Sequence, residues 1–180
     1  MTTHKFISFL TFLLLTFAIA FGQGKEDTNY RLFKIKKIYQ QINQYKNYET
    51  ITIDEAEEFL GHGTDNGGCL TGYFKGDSVK KVVEWVGLSN RAIQNEYYFD
   101  GDKLIFVYST ESKYRFNDST QSLDYSKLDN IFKERYYFNN DKLLDTIFDD
   151  KEHSATKKQD SEDFITSSKG YLKLLKTKRK

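Results

Sequence analysis

The sequence lacks proline altogether and contains a single cysteine, Cys69. The absence of proline excludes a proline-rich linker or stalk and favours a compact body of hairpins. In an oxidising compartment one cysteine cannot form an internal disulfide, so the thiol is either buried or paired between two chains. We favour burial, because a free cysteine usually behaves as a small apolar side chain.

The sequence also lacks an excess of either charge, with 27 basic residues against 26 acidic ones. This balance gives no general attraction to nucleic acid, so we expect no nucleic-acid partner. The distribution is uneven, since residues 164–180 contain six basic residues and no acidic one. The rest of the chain after residue 22 is therefore acidic, and a basic terminal segment has an acidic body to dock on.

Long apolar runs are absent after residue 20, but one such run begins the sequence. Residues 6–20 are almost wholly apolar, follow the cation Lys5 and end near the small residues Ala20 and Gly22. The run is shorter than the roughly 20 residues that span a bilayer. We therefore predict a cleaved signal peptide over 1–22 and an exported protein, periplasmic or secreted, without a transmembrane segment after cleavage. An uncleaved membrane anchor is the alternative.

Helical and extended patterns follow one another after residue 23. Residues 28–46 predict a helix, because apolar residues recur there at spacings of three and four. Residues 48–53 predict a strand and residues 55–60 a brief helical turn. Residues 149–160 are polar and predict a linker, and residues 161–180 predict a basic C-terminal helix with Phe164, Ser168, Leu172 and Leu175 on one face. We expect this helix to dock on the acidic body and to be dispensable for folding.

Three similar segments lie in the middle of the chain. They are GYFKGDSV at Gly72–Val79, YYFDGDKL at Tyr97–Leu104 and YYFNNDKL at Tyr136–Leu143. Aromatic residues, a turn of Gly, Asn and Asp, and then an aliphatic residue are typical of a β-hairpin. The pattern predicts an α+β fold for residues 23–148: an N-terminal helix, an antiparallel meander of about six strands built from three similar hairpins, and the C-terminal helix after it. Residues 109–130, between the second and third segments, are predicted to form a long polar loop.

Two groups of residues are candidates for a site. His62 and Asp65 lie in the glycine-rich segment 61–68, where a backbone can approach a ligand closely; together they could hold a metal or move a proton, or the glycines could simply form a crossing. Trp85, Tyr97 and Tyr136 lie in predicted strands, where they would either anchor a ligand or partner, or pack in the core. Because strand residues alternate, each Tyr–Tyr pair puts one ring on each face of the sheet.

The stretch Gly68–Asp145 resembles uncharacterised exported proteins of Bacteroidetes-type bacteria, which combine an N-terminal helix with hairpins of the form Tyr-Tyr-Phe-Asp-x-Gly-Lys-Leu. The hairpin pattern is also similar to the repeat of YwqK-type and MORN-like proteins. The resemblance implies a fold of successive hairpins and implies no activity.

These observations lead to two hypotheses about function. The first is a non-enzymatic exported module that binds a protein, peptide or glycan of the envelope or medium through an aromatic sheet face or the adjoining loops. The second is a small hydrolase or metal-dependent enzyme centred on His62 and Asp65, with Glu84 as a further group. The first is favoured, because no catalytic motif stands out, and we expect no cofactor.

Overall fold

The computed structural model of the chain describes residues 27–149 and 161–179. The predicted signal peptide, residues 1–22, and residues 150–160 of the predicted linker lie outside this part. The chain divides into two units, Met1–Lys37 and Ile38–Lys180. In the first unit, residues 27–37 are helical, and Arg31 Nε donates to Asp27 Oδ2 at 3.0 Å, one turn away. The helix continues to residue 44 in the second unit, and residues 27–44 are called α1.

The second unit contains a seven-stranded antiparallel sheet in which the strand order equals the chain order. Its strands are β1 Glu49–Ile53, β2 Gly68–Lys75, β3 Ser78–Gly87, β4 Arg91–Asp100, β5 Lys103–Asn117, β6 Ser122–Phe138 and β7 Leu143–Phe148. Its remaining helices are α2 Ala56–Leu60 and α3 Ser161–Lys178. The predicted α+β class and antiparallel meander are therefore confirmed, with seven strands where about six were expected.

Turns that join β2 to β3, β4 to β5 and β6 to β7 fall at the three similar segments. A residue with positive φ occupies each turn: Gly76 at 57°, Gly101 at 62° and Asn140 at 50°. The strand register shifts just before each turn, at the steps Tyr73/Phe74, Tyr98/Phe99 and Tyr137/Phe138. A bulge of this kind increases local twist and aims the following side chain at the core.

The predicted polar loop over 109–130 is wrong. Strands β5 and β6 run through it and leave only the turn 118–121 between them. The rings of Tyr114 and Tyr125 contact each other at 4.9 Å across the two strands. Apolar periodicity appears in a sequence where one face of a strand is buried. The far part of the β5–β6 hairpin extends beyond the start of β4, because β4 pairs with β5 only as far as Lys113. The segment therefore lacks the pattern although it is extended.

One face of the sheet is covered by α3. Phe164, Tyr171, Leu172 and Leu175 of α3 are buried in the main core, together with side chains from β1 to β6. Contact is so close at Gly72 that an added Cβ would lie 2.7 Å from Leu175 Cδ1. The helix is thus part of the core. We therefore expect α3 to be required for folding, and not dispensable as the sequence suggested.

The basic residues of α3, and Arg179 directly after it, bind acidic residues of β1, of α2 and of the turns between strands, as expected for docking on the acidic body. The pairs are Lys169–Asp141 at 2.8 Å, Lys176–Asp102 at 2.7 Å, Lys178–Glu58 at 2.5 Å and Arg179–Glu49 at 2.8 Å. All these pairs are at least partly exposed, so apolar burial contributes more to docking than they do.

Candidate ligand-binding cleft on the open face of the sheet

On the face of the sheet opposite α3, only one part is covered by another element. Tyr39 of α1 contacts Tyr98 at 4.8 Å and Phe106 at 5.2 Å between ring centroids. Two rows further along the strands, Trp85, Gln94, Thr110 and Lys133 stand side by side across β3 to β6. These four side chains are only half-buried. A surface of the sheet is therefore left accessible beside the part that Tyr39 covers.

A cleft of about 300 Å³ lies on this surface, and we call it the Trp85 cleft. Its lining comprises Trp85, Ala92, Gln94, Tyr108, Thr110, Ser112, Leu128, Asn130 and Lys133. The volume is at the lower end of the range for ligand pockets, which leaves room for a small ring system. Four strands contribute to it, so its shape depends on the register of β3, β4, β5 and β6.

The position of Trp85 is set by the glycine-rich segment. A Cβ on Gly87, two residues along the same face, would lie 2.8 Å from Cη2 of the Trp85 ring and 2.7 Å from the carbonyl oxygen of Asn66. Asn66 is held in place, because its Nδ2 donates to Leu88 O at 2.7 Å and Gly67 O accepts from the Gly87 N–H at 2.9 Å. Gly87 therefore lies close to both the glycine-rich segment and the indole, with no room for a side chain at this position.

Four hydrogen-bond donors of the cleft are unused. Trp85 Nε1, the Tyr108 hydroxyl, Asn130 Nδ2 and Lys133 Nζ make no hydrogen bond or ion pair with any residue of 27–149 or 161–179. Burial raises the pKa of Tyr108, and Arg135 opposes this shift, so its hydroxyl keeps the proton at neutral pH. A ligand rich in acceptors would satisfy these groups.

The charge around the cleft is positive. None of the described residues that line it is acidic. The neighbouring Glu96 is already engaged, because it pairs with Lys81 at 2.6 Å and accepts from the Tyr98 hydroxyl at 2.6 Å. The neighbouring Arg135 is paired with Asp149 at 2.6 Å. The Lys133 ammonium is consequently the group in the cleft that most favours an anion.

The covered face has the opposite character. Glu84 is buried, and its Oε2 accepts from Asn95 Nδ2 at 2.8 Å and from the Tyr97 hydroxyl at 2.9 Å, while its Oε1 accepts from the Tyr171 hydroxyl at 2.6 Å. Burial raises the pKa of Tyr97 and of Tyr171, and the Glu84 carboxylate raises both further. Here α3 closes a hydrogen-bonded network whose three donors are satisfied by one carboxylate.

A second buried carboxylate lies further along the same row. Glu134 Oε2 accepts from the Tyr136 hydroxyl at 2.7 Å. Burial raises the pKa of Glu134, the Tyr136 hydrogen bond opposes the shift, and the nearby Glu111 carboxylate adds to it. Glu111 in turn lies 3.4 Å from Arg91 Nε. These groups are covered and do not reach the Trp85 cleft.

Of the five predicted site residues, Trp85 alone lines the cleft. Tyr97 and Tyr136 are buried beneath α3, where their rings contact Phe164 at 5.9 and 4.9 Å. Their neighbours Tyr98 and Tyr137 are buried on the other face. The Tyr–Tyr pairs are thus core residues on both faces, which was the second of the two readings left open.

His62 and Asp65 are exposed and are not brought together. His62 Nδ1 lies 2.9 Å from the carbonyl oxygen of Gly63, and Asp65 accepts from the Ser89 hydroxyl. Glu84, the third group of the enzyme hypothesis, faces Tyr171 on the covered face. Within the described ranges, no three His, Cys, Asp or Glu side chains are arranged to hold a metal ion.

Sequence reasoning missed most of the cleft. Gln94, Tyr108, Asn130 and Lys133 carry no local motif, and three of them lie in or near the segment predicted as a loop. Cys69, the strand partner of Trp85, is a free and half-buried thiol. The signal that relates these residues is the strand register, which the sequence does not display.

Comparisons with models of protein families, with curated proteins and with solved structures found no similar protein. In the part of the chain that the structure describes, no helix has the length and apolarity that crossing a membrane requires.

Proposed function

We propose that this chain is a non-enzymatic exported binding module that takes up a small ligand, or the end of a larger one, in the Trp85 cleft. The observation that carries this proposal is the set of four unused donors beside the rings of Trp85 and Tyr108. Ligand sites combine apolar walls with a few convergent polar groups, and this cleft has both. The rest of the sheet is engaged in two cores and supports the cleft.

Export supports a ligand of the envelope or the surrounding medium. The apolar run at 6–20, with Lys5 before it and Ala20 and Gly22 after it, is typical of a cleaved signal peptide. Glycans and peptides are the polar, acceptor-rich molecules of that compartment, and both would find donors in the cleft.

We also propose that the meander is built from three similar hairpins, β2–β3, β4–β5 and β6–β7. The same register shift precedes a turn that contains a positive-φ residue in each of them, and in the third hairpin Asp141 also has a positive φ. Repetition of this stable unit supplies the broad sheet on which the cleft lies.

Intrinsic fluorescence tests the binding function directly, because Trp85 is the only tryptophan of the chain. The purified protein would be titrated with a panel of oligosaccharides and peptides, and each response would be confirmed by calorimetry. A bound ligand should shift the Trp85 emission and protect it from acrylamide quenching. Tyr108→Phe and Asn130→Ala should each weaken binding about fivefold or more, since each removes one hydrogen bond.

A matched control separates the cleft from the rest of the surface. Lys142 lies on the exposed β6–β7 turn, away from the lining residues, so Lys142→Gln should leave affinity unchanged. A ligand that binds equally well to wild type, Tyr108→Phe and Trp85→Ala would place the binding site elsewhere and contradict the proposal.

A further inference from the structure

We propose that the ligand of the Trp85 cleft is a sugar that bears a carboxylate, with the carboxylate bound by Lys133. This inference rests on the proposed function and adds the chemical class of the ligand. It follows from the charge of the cleft, from its aromatic walls and from the number of its cations.

The charge argument concerns Lys133. The Lys133 side chain is half-buried, its strand partner on β5 is Thr110, and no carboxylate of the described residues pairs with its ammonium. By contrast, the neighbouring cation Arg135 has an acidic partner, Asp149. A cation that lacks an acidic partner, beside a cavity without acidic lining residues, is stabilised when an anion enters.

The walls of the cleft suit a sugar ring. Trp85 and Tyr108 offer flat apolar surfaces, on which the C–H face of a pyranose can stack, and the exposed Leu128 adds a third apolar wall. The indole N–H and the Tyr108 hydroxyl are the polar groups of these two rings, and the hydroxyls of a sugar would accept from them. Stacking and hydrogen bonding thus come from different parts of the same side chains.

The number of cations distinguishes a carboxylate from other anions. One lysine matches a single negative charge, whereas a polyanion requires several phosphate-contacting cations. Phosphate sites in proteins commonly use an arginine fork or a helix N-terminus. Neither is present among the described residues that line the cleft. A uronic-acid residue, which carries one carboxylate on a pyranose, fits both the charge and the walls.

The test compares two trimers, whose rings differ only in the group at carbon 6, with a monosaccharide that carries a phosphate at that carbon. Trigalacturonate, the matching neutral galactose trimer and galactose 6-phosphate would each be titrated into the full-length mature protein by calorimetry. We expect trigalacturonate to bind at least about tenfold more tightly than the neutral trimer, because a charge-assisted hydrogen bond is lost with the carboxylate. Added salt should reduce that difference.

Two variants of Lys133, with Lys142→Gln as the control, complete the test. Lys133→Gln should bring trigalacturonate to the affinity of the neutral trimer, Lys133→Arg should retain part of the difference, and Lys142→Gln should retain all of it. Thermal melts of the three variants should coincide with that of the wild type, since Lys133 forms no ion pair with any described residue.

The possible results separate the two proposals. If both trimers bind equally and Lys133→Gln changes neither, the acidic-sugar inference is wrong and the binding function stands. The same holds if galactose 6-phosphate binds most tightly, or if a peptide of the wider panel binds in a Trp85-dependent manner while no sugar does. If no member of the panel perturbs Trp85, both proposals fail.

Discussion

The two faces of the sheet use the same kinds of side chain differently. Beneath α3, the hydroxyls of Tyr97 and Tyr171 and the amide of Asn95 all donate to the buried Glu84. On the opposite face, the hydroxyl of Tyr108 and the amide nitrogen of Asn130 donate to no acceptor among the described residues. Donors that are satisfied within the protein stabilise the fold, whereas donors left unused are available to a ligand. The proposed binding function thus uses donors that the fold itself leaves unused.

Removal of α3 should have the largest effect on stability, because it exposes the core of the covered face. A chain that ends at Asp149 lacks four buried core side chains, Phe164, Tyr171, Leu172 and Leu175. Loss of one such side chain costs about 2–5 kcal/mol, and the whole free energy of unfolding of a domain is about 5–15 kcal/mol. We expect no cooperative melt by circular dichroism. Leu175→Ala is the matched smaller change and should lower stability by about 2–5 kcal/mol. A truncated chain that melts within a few degrees of the wild type would show that the sheet is stable alone.

Glu84→Ala should be the most damaging single change on the covered face. It leaves the donors of Asn95, Tyr97 and Tyr171 buried without an acceptor, which we expect to cost about 3–5 kcal/mol in chemical denaturation. Tyr171→Phe removes one donor and no acceptor, so its cost should be about 1 kcal/mol. Ligand binding by folded Tyr171→Phe should equal that of wild type. A loss of affinity there would mean that the two faces are coupled.

High pH should weaken the fold through its buried tyrosines, among them Tyr97 and Tyr171 of the covered face. Because the pKa values of Tyr97 and Tyr171 are raised above their usual value of 10, the native state holds these protons more tightly than the unfolded state. Their contribution to stability is complete below pH 10 and is lost as the pH rises above it, at about 1.4 kcal/mol per pH unit for each group. Urea denaturation between pH 8 and 11 measures this slope. Tyr171→Phe should reduce the slope by the contribution of one tyrosine. An unchanged slope would exclude Tyr171 as a contributor.

Gly87→Ala should act on the open face through Trp85. The new methyl group would clash with the backbone of Asn66 and with the indole, which we expect to cost about 1–3 kcal/mol and to shift the tryptophan emission. Ligand affinity should fall as well. Gly63→Ala is the control, since nothing lies within 4 Å of a Cβ there. Equal emission spectra for the two variants would contradict the supporting role of Gly87.

Removal of a surface ion pair of α3 should have the smallest effect. Lys176→Ala breaks the contact with Asp102, and we expect a change below about 1 kcal/mol because both side chains are exposed. Melts at low and at high salt should differ little for the same reason. A salt-induced loss of several degrees would show that charge, and not apolar burial, holds α3 in place.

The sequence predicted those parts of the fold whose cause is local. The turn at Gly101 and the apolar stripe of α3 at Phe164, Leu172 and Leu175 are legible because three or four neighbouring residues determine them. The far half of the β5–β6 hairpin was missed, because strands that cover no core show no alternation. Of the Trp85 cleft, only Trp85 was a predicted site residue. The cleft joins Trp85 to Lys133, and their alignment depends on the accumulated register of four strands.

The order of the strands also has a consequence for the kinetics of folding. Each strand pairs with the next one in the chain, so hairpins can form independently and extend by short loop closures. The contact between Leu175 and Gly72 is different, because it joins residues about a hundred positions apart. Closing so long a loop costs more entropy than closing a turn. We therefore expect the meander to zip early and α3 to dock late, so that changes at Leu175 accelerate unfolding while scarcely slowing refolding.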